Sequence, residues 1–402
     1  MCGKKKLADK SPRLIYYGKQ RKAALLKRAP TEGRRPDSGR SCEGEYMDRD
    51  FLKLLLNTVS VSGNEEANQE NALAFGKAFA HQQRVDAVGN VISVVNPDAA
   101  CKVLLLGHMD EIGFRVSHID DSGLIHVQKA GGVRPMLYVG APMQIIHETA
   151  EEGKKVRRKV EGVGVVTDDL LKNSDMKDKD LLIDIGAGSR EEAEAVVALG
   201  DSVCGDTAVH ELLDGNFSCR ALDDKTGAFV VLEAAKLAAE KGAKTGIYVN
   251  TAVGEETSGR GAYFAASQIA PSCAIAVDVT WASDCPGTDP AETGFVKLGG
   301  GPVLCLSGMV NKKMNALLAR IAEEKGIPVQ YEIAGGRTHT DGDTALYTGS
   351  GVPVALVSIP QRYMHSSVEV GNWNDIEGCI ELIAEFLQRI DESFDYSPIS
   401  LA

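Results

Sequence analysis

The chain has 402 residues, 44% of them hydrophobic and 25% charged, with 42 glycines and a net charge of −12. That length supports a sizeable core and two domains. No stretch approaches the roughly 18 apolar residues of a membrane span, no apolar segment follows the basic N-terminus as a secretory signal requires, and the acidic balance argues against nucleic acid as a partner. The charge is uneven: residues 1–46 hold 13 Lys/Arg and 5 Asp/Glu, a balance of +8 that leaves −20 for residues 47–402. Nine scattered cysteines without a C-x-x-C pair read as free thiols in a reducing compartment, so the expected location is cytoplasmic.

Residues 1–46 lack periodicity and are rich in Lys, Arg, Gly, Ser and Pro, which predicts a disordered basic tail. From Met47 the pattern is regular. Helices are expected over 50–56 and 65–82, and alternation from Val85 to Val95 around Gly89-Asn90 reads as a strand or hairpin. The unbroken apolar run 103–106 predicts a strand buried on both faces of a mainly parallel sheet. Residues 113–207 differ: short alternating segments such as Phe114-Arg115-Val116 are separated by glycines and charged turns, which predicts an inserted all-β domain, a small barrel or sandwich. Near its end Ser189-Arg190-Glu191-Glu192 reads as a capping box. The α/β pattern resumes near 208. Helices are expected at 224–241, 260–269, 312–325 and 375–392, and strands at 246–252, 273–279, 328–333 and 353–359. The catalytic α/β domain is therefore discontinuous, 47–112 plus 208–402, a mixed and mainly parallel sheet sandwiched by helices.

The residues that carry chemistry follow these strands. His108 comes after 103–106, Glu255 and Glu256 after 246–252, Asp278 at the end of its own run, and His365 after 353–359. Asp223 and Asp224 open a helix. In open α/β sheets the crevice at the carboxyl ends of the strands is the usual ligand site. Two His, two Asp and one of two adjacent Glu make a ligand set for a pair of divalent metals, and the remaining Glu is a general-base candidate. Asp110, two residues after His108, lies on the same side of an extended backbone and can fix the imidazole tautomer. Plainer readings exist for each: a polar strand end at His108, a helix N-cap at Asp223-Asp224, a solvated acidic pair at 255–256, a turn Asp at 278, and a surface cluster around His365. Asp224 can cap while Asp223 bridges. His339, in the polar loop 337–343, is a possible substrate contact.

These motifs resemble the cobalt- or zinc-dependent glutamyl/leucyl aminopeptidases that build tetrahedral (TET) particles. The resemblance covers nearly all of 47–395. It rests on Gly107-His108-Met109-Asp110-Glu111-Ile112-Gly113, Ala221-Leu222-Asp223-Asp224, Gly254-Glu255-Glu256, Asp278-Val279-Thr280, Leu298-Gly299-Gly300-Gly301-Pro302, Thr340-Asp341 and Arg362-Tyr363-Met364-His365-Ser366. It implies a zinc-peptidase-like fold whose inserted β domain, 113–207, is a dimerisation domain. It also implies two divalent ions per subunit, zinc or cobalt, one held by His108 and Asp278 and the other by Glu256 and His365. Asp223 would bridge them and Glu255 would be the base. Short peptides are the implied substrates, with self-association to a dimer and, as often in the family, a dodecamer. The chain departs from the pattern at Trp281, at Thr257-Ser258-Gly259-Arg260 and at His339, which bears on specificity and access. The rivals are glycoside hydrolysis by two carboxylates, which leaves both His without a task, and an inactive oligomeric relative that binds peptides.

Overall fold

The computed structural model describes residues 47–151, 153–167, 170 and 176–399. The basic segment 1–46 lies outside the described residues. The frame is an eight-stranded mixed sheet in the order Gln82–Val85, Val91–Val95, Gly246–Ala252, Lys102–His108, Cys273–Trp281, Val354–Gln361, Val303–Ser307, Gln330–Ala334. The four central strands, from Gly246–Ala252 to Val354–Gln361, run parallel. Their carboxyl ends therefore share one edge. Val103 to Leu106 have no exposed surface, because helices cover both faces of the sheet.

On one face lie Arg49–Asn57, Leu222–Glu240, Lys312–Lys325 and Trp373–Leu387, packed through Leu52, Phe229, Ile380 and Phe386. On the other lie Arg260–Ile269 and Asp341–Leu346, packed through Ala262, Ala266 and Ala345. Helix Leu222–Glu240 presses so closely on the sheet that a Cβ on Gly107 would stand 2.6 Å from the Ala228 nitrogen, so only glycine fits directly before His108.

Six strands between Gly113 and Gly205 close a small antiparallel barrel, in the order Gly113–Ile119, Ile125–Ala130, Leu182–Asp184, Lys154–Val165, Pro142–Glu151, Ser202–Gly205. Its core is separate from the sheet's, centred on Phe114 against Tyr138 with ring centroids 5.1 Å apart.

Several expectations are corrected. The second helix runs only Glu66–Gly76, because residues 82–85 pair with Val91–Val95 and the ladder takes the backbone groups a longer helix would need. Strand Val303–Ser307 and a three-stranded antiparallel sheet of His210–Glu211, Asn216–Cys219 and Glu369–Asn372 were not expected. Short strands whose partners lie far away in sequence leave little periodicity to read. The capping box at Ser189 is one-sided: Ser189 Oγ accepts from Glu192 N, but the Glu192 carboxylate accepts from Gly188 N and not from Ser189. The seven described cysteines are all free. Among the described residues no helix is long and apolar enough to cross a membrane.

Candidate active site

The carboxyl edge of the central strands opens into a cleft of about 700 Å³. His108 is the last residue of its strand and pairs in register with Ala252, the last of the neighbouring one. Chain order then places Gly254, in the left-handed region at φ 65°, and the first turn of a short helix, Glu255–Ser258. The acidic pair thus begins a helix. Asp278 lies inside Cys273–Trp281, not at its end. Since Ala276 pairs with Leu106, Asp278 stands level with His108. Asp223 opens Leu222–Glu240 in a non-helical conformation after Ala221 at φ 56°, and its peptide bond to Asp224 is cis. His365 follows Val354–Gln361 on a turn where both it and Tyr363 have positive φ, 60° and 63°. Two non-glycine residues in that region are held by their surroundings.

These segments meet on Asp223. Its two oxygens lie 3.2 Å from His108 Nε2 and 3.2 Å from His365 Nε2. Glu255 Oε2 is 3.8 Å from His108 Nε2, and Glu256 Oε2 is 3.7 Å from His365 Nε2. Asp110 is buried behind His108. Its carbonyl oxygen is 3.1 Å and its carboxylate 3.4 Å from His108 Nδ1. The carboxylate mainly accepts from the backbone N–H groups of Glu255 and Glu256, at 3.0 and 3.2 Å. Asp224 caps the helix, accepting from Gly227 N at 3.0 Å, and also accepts from His108 N at 3.2 Å.

The donors suit divalent cations. Burial, and then the charge of neighbouring carboxylates, pushes Asp224, Glu256 and Asp278 well above the usual carboxylate range. Glu256 Oε1 is buried without a hydrogen-bond partner. Burial raises Glu255 most; Asp223 and Asp110 add to that against the opposing charge of His108, and Glu255 reaches about 7. Burial opposes ionisation of Asp223 too, but hydrogen bonds from both His hold it below the ordinary range. Such a concentration of buried acids is costly unless cations neutralise it. Among the described residues two groupings converge closely enough to hold an ion: His108 with Asp224 and Asp278, and His108 with Asp223 and Glu256. The first brings in Asp224, where sequence reasoning gave it only a capping role.

Sequence reasoning missed Glu369. Glu369 is buried and accepts from Leu222 N at 2.8 Å, Asp223 N at 3.3 Å and His365 N at 3.0 Å, so one carboxylate ties two arms of the site together. Its signal was an acid between Val368 and Val370 in an alternating run. Asp341 is buried with both carboxylate oxygens unpartnered. His339 lines the cleft at φ 57°, with its N–H donated to Asp343. Arg362, read as a neighbour of His365, pairs with Asp284 through two hydrogen bonds of 2.8 and 2.6 Å. Gly299 and Gly301 of the glycine motif donate their N–H groups to Asp375. The barrel reaches the site through Gly132, where a Cβ would lie 2.7 Å from His365 Nδ1.

The sequence model of the M42 glutamyl aminopeptidase family matches residues 89–382. A putative aminopeptidase of Acetivibrio thermocellus is 37% identical over 346 residues, spanning 84% of this chain and 97% of that one. A lysyl aminopeptidase of Pyrococcus furiosus is 31% identical over 364 residues, spanning 88% and 100%. Among solved structures, the TET1 peptidase of Pyrococcus horikoshii, described as assembling into a tetrahedron or a large octahedral shell, superposes with a TM-score of 0.73 at 29% identity over 85% of this chain and 99% of that one.

Proposed function

The chain belongs to the M42 glutamyl aminopeptidase family and is a peptide hydrolase; from that premise we propose that it removes N-terminal residues from short peptides at a site holding two divalent metal ions. The observation that carries the reading is the convergence of His108 and His365 on the two oxygens of Asp223, each 3.2 Å away, amid carboxylates that burial pushes well above their usual range. His108 and Asp278 would hold one ion, Glu256 and His365 the other, with Asp223 between them. Zinc and cobalt suit such mixed imidazole and carboxylate donors. The ions, when bound, would polarise the scissile carbonyl and acidify a water.

The chain's own residues do the rest. Glu255, with its carboxylate 3.8 Å from His108 Nε2, takes the proton of the attacking water and returns it to the leaving amine. Its raised pKa, about 7, suits a group that must both accept and release a proton near neutrality. Asp110 fixes the direction of Glu255 and Glu256 by accepting their backbone N–H groups, and its contact with His108 Nδ1 leaves Nε2 facing the cleft. Residues 113–207 form a dimerisation module inserted between 47–112 and 208–402, and dimers build a larger particle. The superposition on a shell-forming peptidase supports that assembly.

The test is Glu255→Gln. The variant should bind metal as the unaltered protein does and lose roughly 10²- to 10⁴-fold in kcat on aminoacyl-p-nitroanilides. Turnover within a few-fold of the unaltered enzyme contradicts the assignment.

A further inference from the structure

The family description names a glutamyl activity and the Pyrococcus furiosus relative a lysyl one, so kinship leaves open which N-terminal residue this enzyme prefers. The far wall of the cleft bears on that choice. Strand Gln330–Ala334 alternates along its length: Tyr331 and Ile333 are exposed, whereas Glu332 turns inward and lines the cleft. Its carboxylate reaches back across Val303–Ser307. Oε1 accepts from Ser358 Oγ at 2.7 Å and Oε2 accepts from Thr280 Oγ1.

Both anchors locate the carboxylate relative to the proposed metal centre. Ser358 is the in-register partner of Asp278. Thr280 lies two residues beyond Asp278, on the same face of the strand and about 6.5 Å further along. The Glu332 carboxylate thus stands one strand-repeat away from a metal-ligating position, on the same side of the sheet. Cys305 and Leu356, on that same side of the sheet, also line the cleft.

Glu332 has an unmet need. Its hydrogen-bond partners are the hydroxyls of Thr280 and Ser358 and the thiol of Cys305, all neutral, and among the described residues it forms no ion pair. An ionised carboxylate has about four acceptor sites, and these three partners bring no charge to it. Burial raises its pKa, since no cation offsets the desolvation. A cation delivered by a ligand would supply what the protein leaves out.

We infer that Glu332 reads the side chain of the substrate's first residue, and that this cleft selects a basic one, lysine or arginine. The inference rests on the aminopeptidase reading above. With the substrate's amino terminus and scissile carbonyl at Asp223 and Glu255, the four-carbon stem of a lysine runs along the apolar wall and its ammonium meets the carboxylate. Arg337 also lines the cleft and would favour an acidic residue, but it is exposed whereas Glu332 is half-buried.

The experiment compares Lys-, Arg-, Leu- and Glu-p-nitroanilides with the zinc- or cobalt-loaded full chain and with its Glu332→Gln variant. The predicted result is kcat/KM for Lys and Arg at least about tenfold above Leu and Glu. In Glu332→Gln the Lys/Leu ratio should fall by roughly 10- to 100-fold, the worth of a charge-assisted hydrogen bond in a partly dry site. A ratio taken within each variant cancels any loss of folded enzyme. The inhibition constant of free L-lysine should rise with it, while that of L-norleucine, which has the stem without the ammonium, should not. Preference for Leu or Glu in the unaltered enzyme, or an unchanged Lys/Leu ratio in Glu332→Gln, overturns the inference and leaves the aminopeptidase reading standing. Failure to cleave any of the four removes that reading, and this inference with it.

Discussion

His108 and Asp278 on one side of the site, and Glu255, Glu256 and His365 on the other, reach the same cleft by different means. The first two stand on adjacent parallel strands, level with each other, and sheet register places them. The other three follow strands by three, four and four residues and would be free to wander. Buried carboxylates hold them: Asp110 accepts the N–H groups of Glu255 and Glu256, and Glu369 accepts those of His365 and of Asp223. The contrast teaches that the rigid half of this site is built by the sheet and the irregular half by hydrogen-bonded clamps that touch no substrate.

The most sensitive break of that contrast is to remove a clamp. Asp110→Asn and Glu369→Gln should each lower metal affinity or activity by roughly 10- to 100-fold. Each should loosen both ions, Asp110→Asn because Asp110 touches His108 as well as the acidic pair, and Glu369→Gln because Glu369 holds Asp223 as well as His365. Unchanged metal affinity in either variant, read by calorimetric titration, would remove that carboxylate from the clamps. A smaller effect comes from pH. As the proposed base Glu255 must be deprotonated to act, and its pKa is raised to about 7 by burial and by Asp223 and Asp110. Activity should therefore fall as pH drops, about tenfold per unit once below the limb. The limb lies at or below 7 because bound cations favour the ionised form, and a profile flat down to pH 5 would reject Glu255 as the titrating base. The smallest effect on chemistry belongs to the sheet. Gly107→Ala places a Cβ 2.6 Å from the Ala228 nitrogen and should cost about 1–3 kcal/mol of stability, measured by denaturant unfolding. An unchanged midpoint would mean the sheet-borne half is more yielding than described.

The same contrast explains what could be read from the sequence. The strands that place His108 and Asp278 announce themselves as apolar runs, and their common edge follows from parallel pairing. Helix Lys312–Lys325 was legible to the residue, because Asn311 caps its start and Gly326, at φ 67°, ends it. The clamps were not legible. Asp110 lies 145 residues from Glu255 and Glu369 lies 146 from Asp223, and nothing in local periodicity links them. Asp110 was noticed for its position beside His108, yet its main work, holding the acidic pair, appears only once the fold brings the pair to it. Asp224 was read as a cap, which it is, but its proximity to His108 and Asp278 required the packed helix start. Glu332 gave no signal because its partners, Thr280 and Ser358, sit on strands separated from it in sequence and joined only by the sheet order.

The central claim is that buried acids and two imidazoles at one strand edge hold a pair of divalent ions that the reaction needs. Chelator-treated protein titrated with Zn²⁺ or Co²⁺, with aminoacyl-p-nitroanilide turnover followed in parallel, tests it directly. The account predicts two equivalents bound per chain and activity that returns with them. Turnover in the chelated protein, or binding of fewer than two ions at full activity, would contradict it.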